Sequence, residues 1–223
     1  GSEIELGFDA SLFAGRLGVD VTWYNQSTKD ALIAVPDPPS SGFSGSHLTN
    51  VGEINNTGFE ILLTGTPIYT RKLQWDATIS LTTNKNELVS WGDAPLTEIS
   101  FGEFATVQKH IPGYPMGGYW PKDVERDAGG APILTTSGGV TVAEDEYLGP
   151  SAPTREIGFT NSITLFDNFR IFSNLDYKGG NFQWCAICSI RSRVDLNTYT
   201  INRPDADATD VAVVKSLQTR RWL

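Results

Sequence analysis

From Ile4 to Leu12 the even positions are Ile4, Leu6, Phe8, Ala10 and Leu12, and the odd ones are Glu5, Gly7, Asp9 and Ser11. Successive side chains of a β-strand point to opposite faces, so this segment reads as a strand with one apolar and one polar side. After the turn-like Phe13 to Arg16 the apolar set becomes Leu17, Val19, Val21 and Trp23, opposed by Gly18, Asp20, Thr22 and Tyr24. The two segments predict a hairpin. The same alternation returns at Gly58 to Thr66 and, after Pro67 to Lys72, at Leu73, Trp75, Ala77, Ile79 and Leu81. A third hairpin is predicted from Glu156 to Leu165 and Phe169 to Tyr177, turning at Phe166 to Asn168. Weaker strand candidates are Asp30 to Val35, Glu87 to Trp91 and Ile99 to Gln108, and helical spacing of Val211, Val214 and Leu217 predicts a short helix over Ala208 to Arg220.

The connections fall into two length classes. Turns after Leu12, Thr66 and Leu165 are short, whereas Pro36 to Asn50, Lys109 to Arg155 and Lys178 onward are long and rich in Gly, Pro, Ser and Asn. Loops beyond about 12 to 15 residues are uncommon in compact domains and usually carry function or disorder. The longest purely apolar run, Ala31 to Val35, is far shorter than the roughly 20 residues a membrane-spanning helix needs. A membrane-spanning strand needs only about 9 to 11 residues with every second one apolar. Short turns at one end and long loops at the other suit an outer-membrane β-barrel, with Asp9, Asp20, Glu60, Asp76 and Asp176 facing a wet lumen. Trp23, Tyr69, Trp75, Trp91 and Tyr177 at strand ends suit an interfacial girdle. A secreted soluble β-sandwich acting as a carbohydrate-binding or adhesion module alternates in the same way and is the second reading.

Composition narrows the functions. The chain has 223 residues, 17 Lys and Arg against 26 Asp and Glu, and 39% apolar residues. An acidic balance without a basic cluster leaves nothing to neutralise a phosphate backbone, and the densest basic spot, Arg220-Arg221, reads as a solvated end. Nucleic acid is therefore not an expected partner. The only histidines, His47 and His110, are remote in sequence, which argues against a Ser-His-Asp or metal site and hence against an enzyme. Cys185 and Cys188 form a C-x-x-C that reads as a loop disulfide of an oxidising compartment, with free thiols or metal chemistry as the alternatives. Asp123, Glu125 and Asp127 have carboxylate spacing, but Ala128 stands where a calcium loop needs glycine. No metal or other cofactor is expected.

Six segments in order resemble the barrel domain of TonB-dependent outer-membrane receptors of the SusC/RagA-like branch. They are Leu17 to Asp30, Asn50 to Glu60, Trp75-Asp76 with Asn84 to Val89, Gly113 to Trp120, Leu148 to Glu156, and Asp176 to Gly180. Asn and Gly between Asn50 and Gly58 tolerate positive φ and read as the end of an outer loop folding back before Phe59 restarts the lipid-facing row. The resemblance implies an all-β fold: an antiparallel meander of long hairpins forming part of a transmembrane outer-membrane β-barrel with long extracellular loops. Residues 1–223 are expected to be a partial barrel region, without the family's signal peptide, plug domain or final strands.

The resemblance implies energy-coupled import of a large nutrient, of the oligosaccharide or peptide class, across the bacterial cell outer membrane. It also implies TonB as a partner through the plug region, and a SusD-like surface lipoprotein, besides outer-membrane lipid and the nutrient ligand. Aromatic faces stack on sugars and apolar side chains, so Tyr114, Tyr119, Trp120 and Trp184 are the candidate ligand-binding residues.

Overall fold

The computed structural model describes residues 1–42, 45–101, 107–185, 187 and 203–217. In chain order the strands are β1 (Ser2–Leu12), β2 (Leu17–Lys29), β3 (Leu32–Pro36), β4 (Ser46–Asn50), β5 (Glu53–Tyr69), β6 (Leu73–Ser90) and β7 (Ile99–Phe101). Then come β8 (Gln108–His110), β9 (Gly118–Tyr119), β10 (Lys122–Val124), β11 (Val142–Asp145), β12 (Arg155–Leu165), β13 (Phe169–Gly179) and a helix, Ala208–Leu217. Two compact units result. One holds Gly1–Ile99, His110–Met116 and Ala152–Asn181, the other Ser100–Lys109, Gly117–Ser151 and Phe182–Leu223.

The first unit is built on a six-stranded antiparallel sheet in the order β1-β2-β5-β6-β12-β13. Its three predicted hairpins are present, and all neighbours pair antiparallel. The short turns take unusual backbones. Phe13, Ala14 and Gly15 in one turn, and Phe166 and Asp167 in another, have positive φ. A phenylalanine rarely adopts that region, and both rings are exposed.

β5 and β6 are longer than alternation predicts, at 17 and 18 residues. Glu53 to Gly58 is strand rather than returning loop; only Gly52 there has positive φ, and Asn55 and Asn56 pair with Glu87 and Asn86. Glu87 to Trp91 likewise is no separate strand; β6 simply continues to Ser90. Gly58 is needed for close approach instead: a Cβ there would collide with the Thr83 carbonyl oxygen and the Tyr24 ring that lies across it. The Tyr24 hydroxyl reaches Asn84 Oδ1 at 3.2 Å and the Thr83 carbonyl at 3.3 Å, tying β2 to β6 over the glycine of β5.

A small closed core forms where these extended strands end. Ile33, Val35, Leu88, Trp91 and Ile99 are buried, Leu88 at 0% exposure, with Ile54, Val51 and Met116 packed against them. Trp91 is thus a core residue and not a girdle aromatic. The stretch predicted as a loop after Val35 folds back as β4 on β3, and alternation along β3 turns Ile33 and Val35 inward and leaves Leu32 exposed. Above the end of β12, residues 111–116 take over the free edge of β6: Leu88 N–H donates to the Tyr114 carbonyl, Gly113 N–H to the Leu88 carbonyl and Met116 N–H to Asn86 Oδ1. Covering that edge removes a row of unpaired backbone groups.

In the second unit, β10 and β11 form a two-stranded ribbon extended by bridges Arg126↔Pro132 and Leu134↔Val140. β7, β8 and β9 make a three-stranded sheet. The predicted Ile99 to Gln108 strand is therefore split between β7 and β8, with 102–106 outside the described residues. The helix begins on Asp207, whose Oδ1 accepts the Thr209 and Asp210 N–H groups; residues 218–220 of the predicted helix and Arg220-Arg221 lie outside the described residues. Among the described residues no helix is long and apolar enough to cross a membrane, which says nothing of strands.

Candidate functional site

Register gathers apolar residues from all six sheet strands on one face, with Leu62 and Phe172 standing on the other. Reading across, Phe8, Val21, Ile61, Leu81, Ile157 and Tyr177 form one row, and Ala10, Val19, Leu63, Ile79, Phe159 and Leu175 the next. Below them Trp75, Ile163 and Ile171 form a shorter row, then Leu73, Leu165 and Phe169. These side chains are not covered: Leu6 is 66% and Leu175 63% exposed. From Leu73 to Leu81, β6 climbs ~27 Å, or ~21 Å along the normal of a bilayer at a strand tilt of ~40°, close to the ~25 Å apolar band of a barrel. Above it the same face turns polar, with Thr57, Lys85, Asn55 and Glu87.

One polar bridge interrupts the band. Asn161 sits in the row between Phe159 and Ile163, and its Oδ1 accepts from Trp75 Nε1 at 2.6 Å while its Nδ2 donates to Ser173 Oγ at 3.3 Å. The amide is thereby supplied on both ends without water, which an apolar solvent requires. Tyr69, expected in the girdle, is not on this face. A register shift between Gly65 and Ile68 moves Ile68 opposite Trp75 and puts Tyr69 opposite Gln74, on the polar side.

The opposite face is lined by carboxylates and hydroxyls. Asp9 and Asp20 stand directly opposite one another, and Glu60, Asp76, Glu156 and Asp176 share that face. Asp76 is fixed by Thr66 Oγ1 at 2.8 Å and Gln74 Nε2 at 2.9 Å, Arg170 Nε donates to Ser162 Oγ at 2.9 Å, and Lys178 pairs with Glu156 at 2.8 Å. Thr160 donates to Asn174 at 2.8 Å, and Asn174 to Asp176 at 3.3 Å. This is a hydrated, predominantly anionic surface with its side chains held in place by one another.

The second unit gathers aromatics. Trp120 and Tyr147 rings lie 5.3 Å apart at 52°. Tyr119 N–H donates to the Gly149 carbonyl at 2.9 Å, and the Phe182 ring covers Gly149 so closely that a Cβ would strike it. Lys109 and Asp145 form an ion pair at 2.5 Å, with side chains 14% and 20% exposed. The Lys109 ammonium, by hydrogen bond, holds the Asp145 carboxyl below its ordinary value. In the first unit, burial lowers the basicity of His110.

Of the candidate residues, Tyr119 and Trp120 are consecutive and half-buried, and Trp184 is half-buried in the same unit. Tyr114, 36% exposed, belongs to the segment that covers β6. Tyr147 and Phe182 escaped sequence reading; Gly149 in Leu148 to Glu156 was the one signal, because a conformationally free residue beside Pro150 marks a close approach. Cys185 is disulfide-bonded, and Cys188 lies outside the described residues. Asp127 uses its Oδ1 to accept the Gly129 and Ala131 N–H groups, so that carboxylate is engaged in its own turn.

Comparisons with known proteins agree on one family. Residues 1–145 match the family described as TonB dependent receptor-like, beta-barrel. TonB-dependent receptor P26 of Formosa agariphila is 27% identical over 197 residues, covering 79% of this chain and 19% of the relative. TonB-dependent receptor SusC of Bacteroides thetaiotaomicron is 25% identical over 230 residues, covering 95% of this chain and 22% of SusC. A solved structure of the RagAB peptide transporter superposes with a TM-score of 0.71 at 20% identity, covering 86% of this chain and 22% of that one. The chain thus spans about a fifth of the length of these relatives.

Proposed function

Because this chain belongs to the TonB-dependent receptor β-barrel family, we propose that its six-stranded sheet is an arc of the wall of an outer-membrane importer of a large nutrient, an oligosaccharide or a peptide. One observation carries the reading. The sheet has an uncharged apolar band of membrane height on one face and a carboxylate-lined face on the other, and the band is exposed. Lipid is the solvent that suits such a band, and water in a lumen suits its reverse side.

In that setting the short turns face the periplasm and the long connections face outward. The exposed Phe13 and Phe166 then lie at the bilayer edge, where an aromatic ring is stabilised and repays its positive φ. β5 and β6 rise beyond the bilayer and carry the Ile33–Leu88–Trp91 core above it. In the second unit the Trp120–Tyr147 pair, with Tyr119 and Trp184, supplies aromatic surface for cargo, and in the first unit Tyr114 is a separate candidate contact. Import draws on TonB and on a SusD-like surface lipoprotein, as the kinship with SusC and RagA suggests.

The test is uptake by cells. A strain lacking the receptor is complemented with the intact gene and grown on oligosaccharide or peptide mixtures as sole nutrient, with and without a functional TonB system. TonB-dependent growth on one class supports the proposal. Growth independent of the receptor on every class, or a receptor that stays in water without detergent, overturns it.

A further inference from the structure

Charge is distributed unequally between the two faces of the six-stranded sheet. On the apolar face the register places Lys29, Glu53, Lys85, Glu87 and Arg155, all at the long-loop end and none within the band. Lys29 is matched by Glu53 at 3.9 Å and Lys85 by Glu87 at 2.7 Å, which leaves Arg155. It is exposed, and among the described residues its guanidinium makes no ion pair or hydrogen bond. In a chain of net charge −9, the apolar face thus ends on an uncompensated cation.

Its neighbours add donors. Thr83, Arg155 and Gly179 form the row directly above Leu81, Ile157 and Tyr177, the last of the apolar band on these strands. The Tyr177 ring rises into that row, because a Cβ on Gly179 would strike its hydroxyl, and the hydroxyl has no partner among the described residues. Thr83 Oγ1 accepts the Phe59 N–H at 3.1 Å and keeps its own proton to donate. A guanidinium and two hydroxyls therefore stand in one row over exposed hydrocarbon. That arrangement is complementary to an amphiphile with an oxyanion at its head, and the planar fork of arginine suits a phosphate, to which it donates two parallel N–H groups. We propose that Arg155, with Tyr177 and Thr83, binds the phosphate of an anionic lipid of the outer leaflet, whose acyl chains lie along Leu81, Ile157 and the Tyr177 ring. The inference rests on the barrel reading, which makes the apolar face the lipid side and the long-loop end the outer one.

The test uses the intact receptor in mild non-ionic detergent, titrated with dioleoylphosphatidylglycerol, dioleoylphosphatidylcholine or inorganic phosphate, with bound molecules counted by native mass spectrometry. The expected result is one phosphatidylglycerol retained about fivefold better than phosphatidylcholine, the effect of one cation at a headgroup, and inorganic phosphate retained less than either. Arg155→Gln should lower phosphatidylglycerol to the level of phosphatidylcholine, and Tyr177→Phe, which keeps the ring, should lower it roughly threefold. Arg170→Gln removes a cation from the carboxylate-lined face and should leave retention as in the parent. Heat-shifted gel mobility reports whether each variant is folded; should Arg155→Gln fail, Arg155→Lys keeps the charge without the fork and should lose only part of the retention. Equal retention of the two lipids, Arg155 and Tyr177 variants that match the parent, an Arg170→Gln loss as large as that of Arg155→Gln, or inorganic phosphate bound as well as the lipid would each overturn the site. None of these outcomes touches the barrel, whose own failure would appear as a receptor that needs no detergent.

Discussion

Adjacent residues of one strand should respond oppositely to the same charge. Ile79 lies in the middle of the apolar band, opposite Leu63 on β5 and Phe159 on β12, while its neighbour Thr78 faces Thr64 and Thr160 on the polar side. An arginine on the lipid face near the bilayer midplane costs ~2 to 4 kcal/mol, and one facing a wet lumen is tolerated. At ~1.4 kcal/mol per tenfold, Ile79→Arg should reduce the folding equilibrium constant roughly 30- to 700-fold. Thr78→Arg adds a cation to a face lined with carboxylates and should cost under ~1 kcal/mol. Urea titration of the intact receptor in phospholipid vesicles, followed by tryptophan fluorescence and gel mobility, measures both.

Stability alone does not distinguish a lipid-facing Ile79 from one packed inside a sandwich, so a labelling arm is needed. Thr78→Cys should react with a charged, water-soluble maleimide, whereas Ile79→Cys should resist it and react with a lipid-soluble one. A Thr78→Arg cost equal to or above that of Ile79→Arg would refute the assignment of faces. Equal reactivity of both cysteines towards the charged reagent would refute the membrane.

Tyr24→Phe removes the hydroxyl bonded to Asn84 and Thr83 but keeps the ring over Gly58, so it should cost ~0.5 to 1.5 kcal/mol in vesicle unfolding; Gly58→Val, which has no room for its Cβ, should prevent folding altogether. Trp75→Phe leaves one end of the Asn161 amide without its donor in an apolar solvent and should cost ~1 to 3 kcal/mol, largely recovered in the Trp75→Phe/Asn161→Leu double variant. Acid should loosen two sites, read by amide exchange against pH. The Asp145 carboxyl is held below its ordinary 3.8, so the Lys109 pair stabilises fully above that value and its contribution is lost as pH falls through the lower folded one. The depressed His110 acts in a higher window, with stability complete above 6.5 and declining as pH falls below it; Asp145→Asn should abolish the first change and leave the second. Trp120→Ala and Tyr147→Ala should be coupled by ~0.5 to 1.5 kcal/mol in a double-mutant cycle.

What the sequence revealed and what it hid divide at the edge of the apolar band. Within it, lipid on one side and water on the other force period-two alternation, so β1, β2, β12, β13 and the lower halves of β5 and β6 are legible residue by residue. Beyond Phe59 on β5 and Leu81 on β6 the pairing continues with no apolar row to mark it. There Asn55, Asn56, Asn84 and Asn86 offer no contrast between faces, and the Asn-rich stretch looked like loop. The bulge at Thr66-Pro67 hid Tyr69 for a related reason: one inserted position reverses parity, and only the resumed pairing with β6 shows which face follows. Trp91 reads as a girdle aromatic in the sequence because its burial depends on Ile33 and Val35, which reach it through a hairpin folded from the long connection after β2. Tyr147 meets Trp120 only because the β10–β11 ribbon returns the chain, and neither residue has periodic neighbours. The loss of alternation is informative in itself. Where an alternating strand stops alternating but goes on pairing, its environment has changed from two solvents to one, and on the proposed barrel-wall reading that change on β6, between Leu81 and Thr83, is where the strand leaves the bilayer.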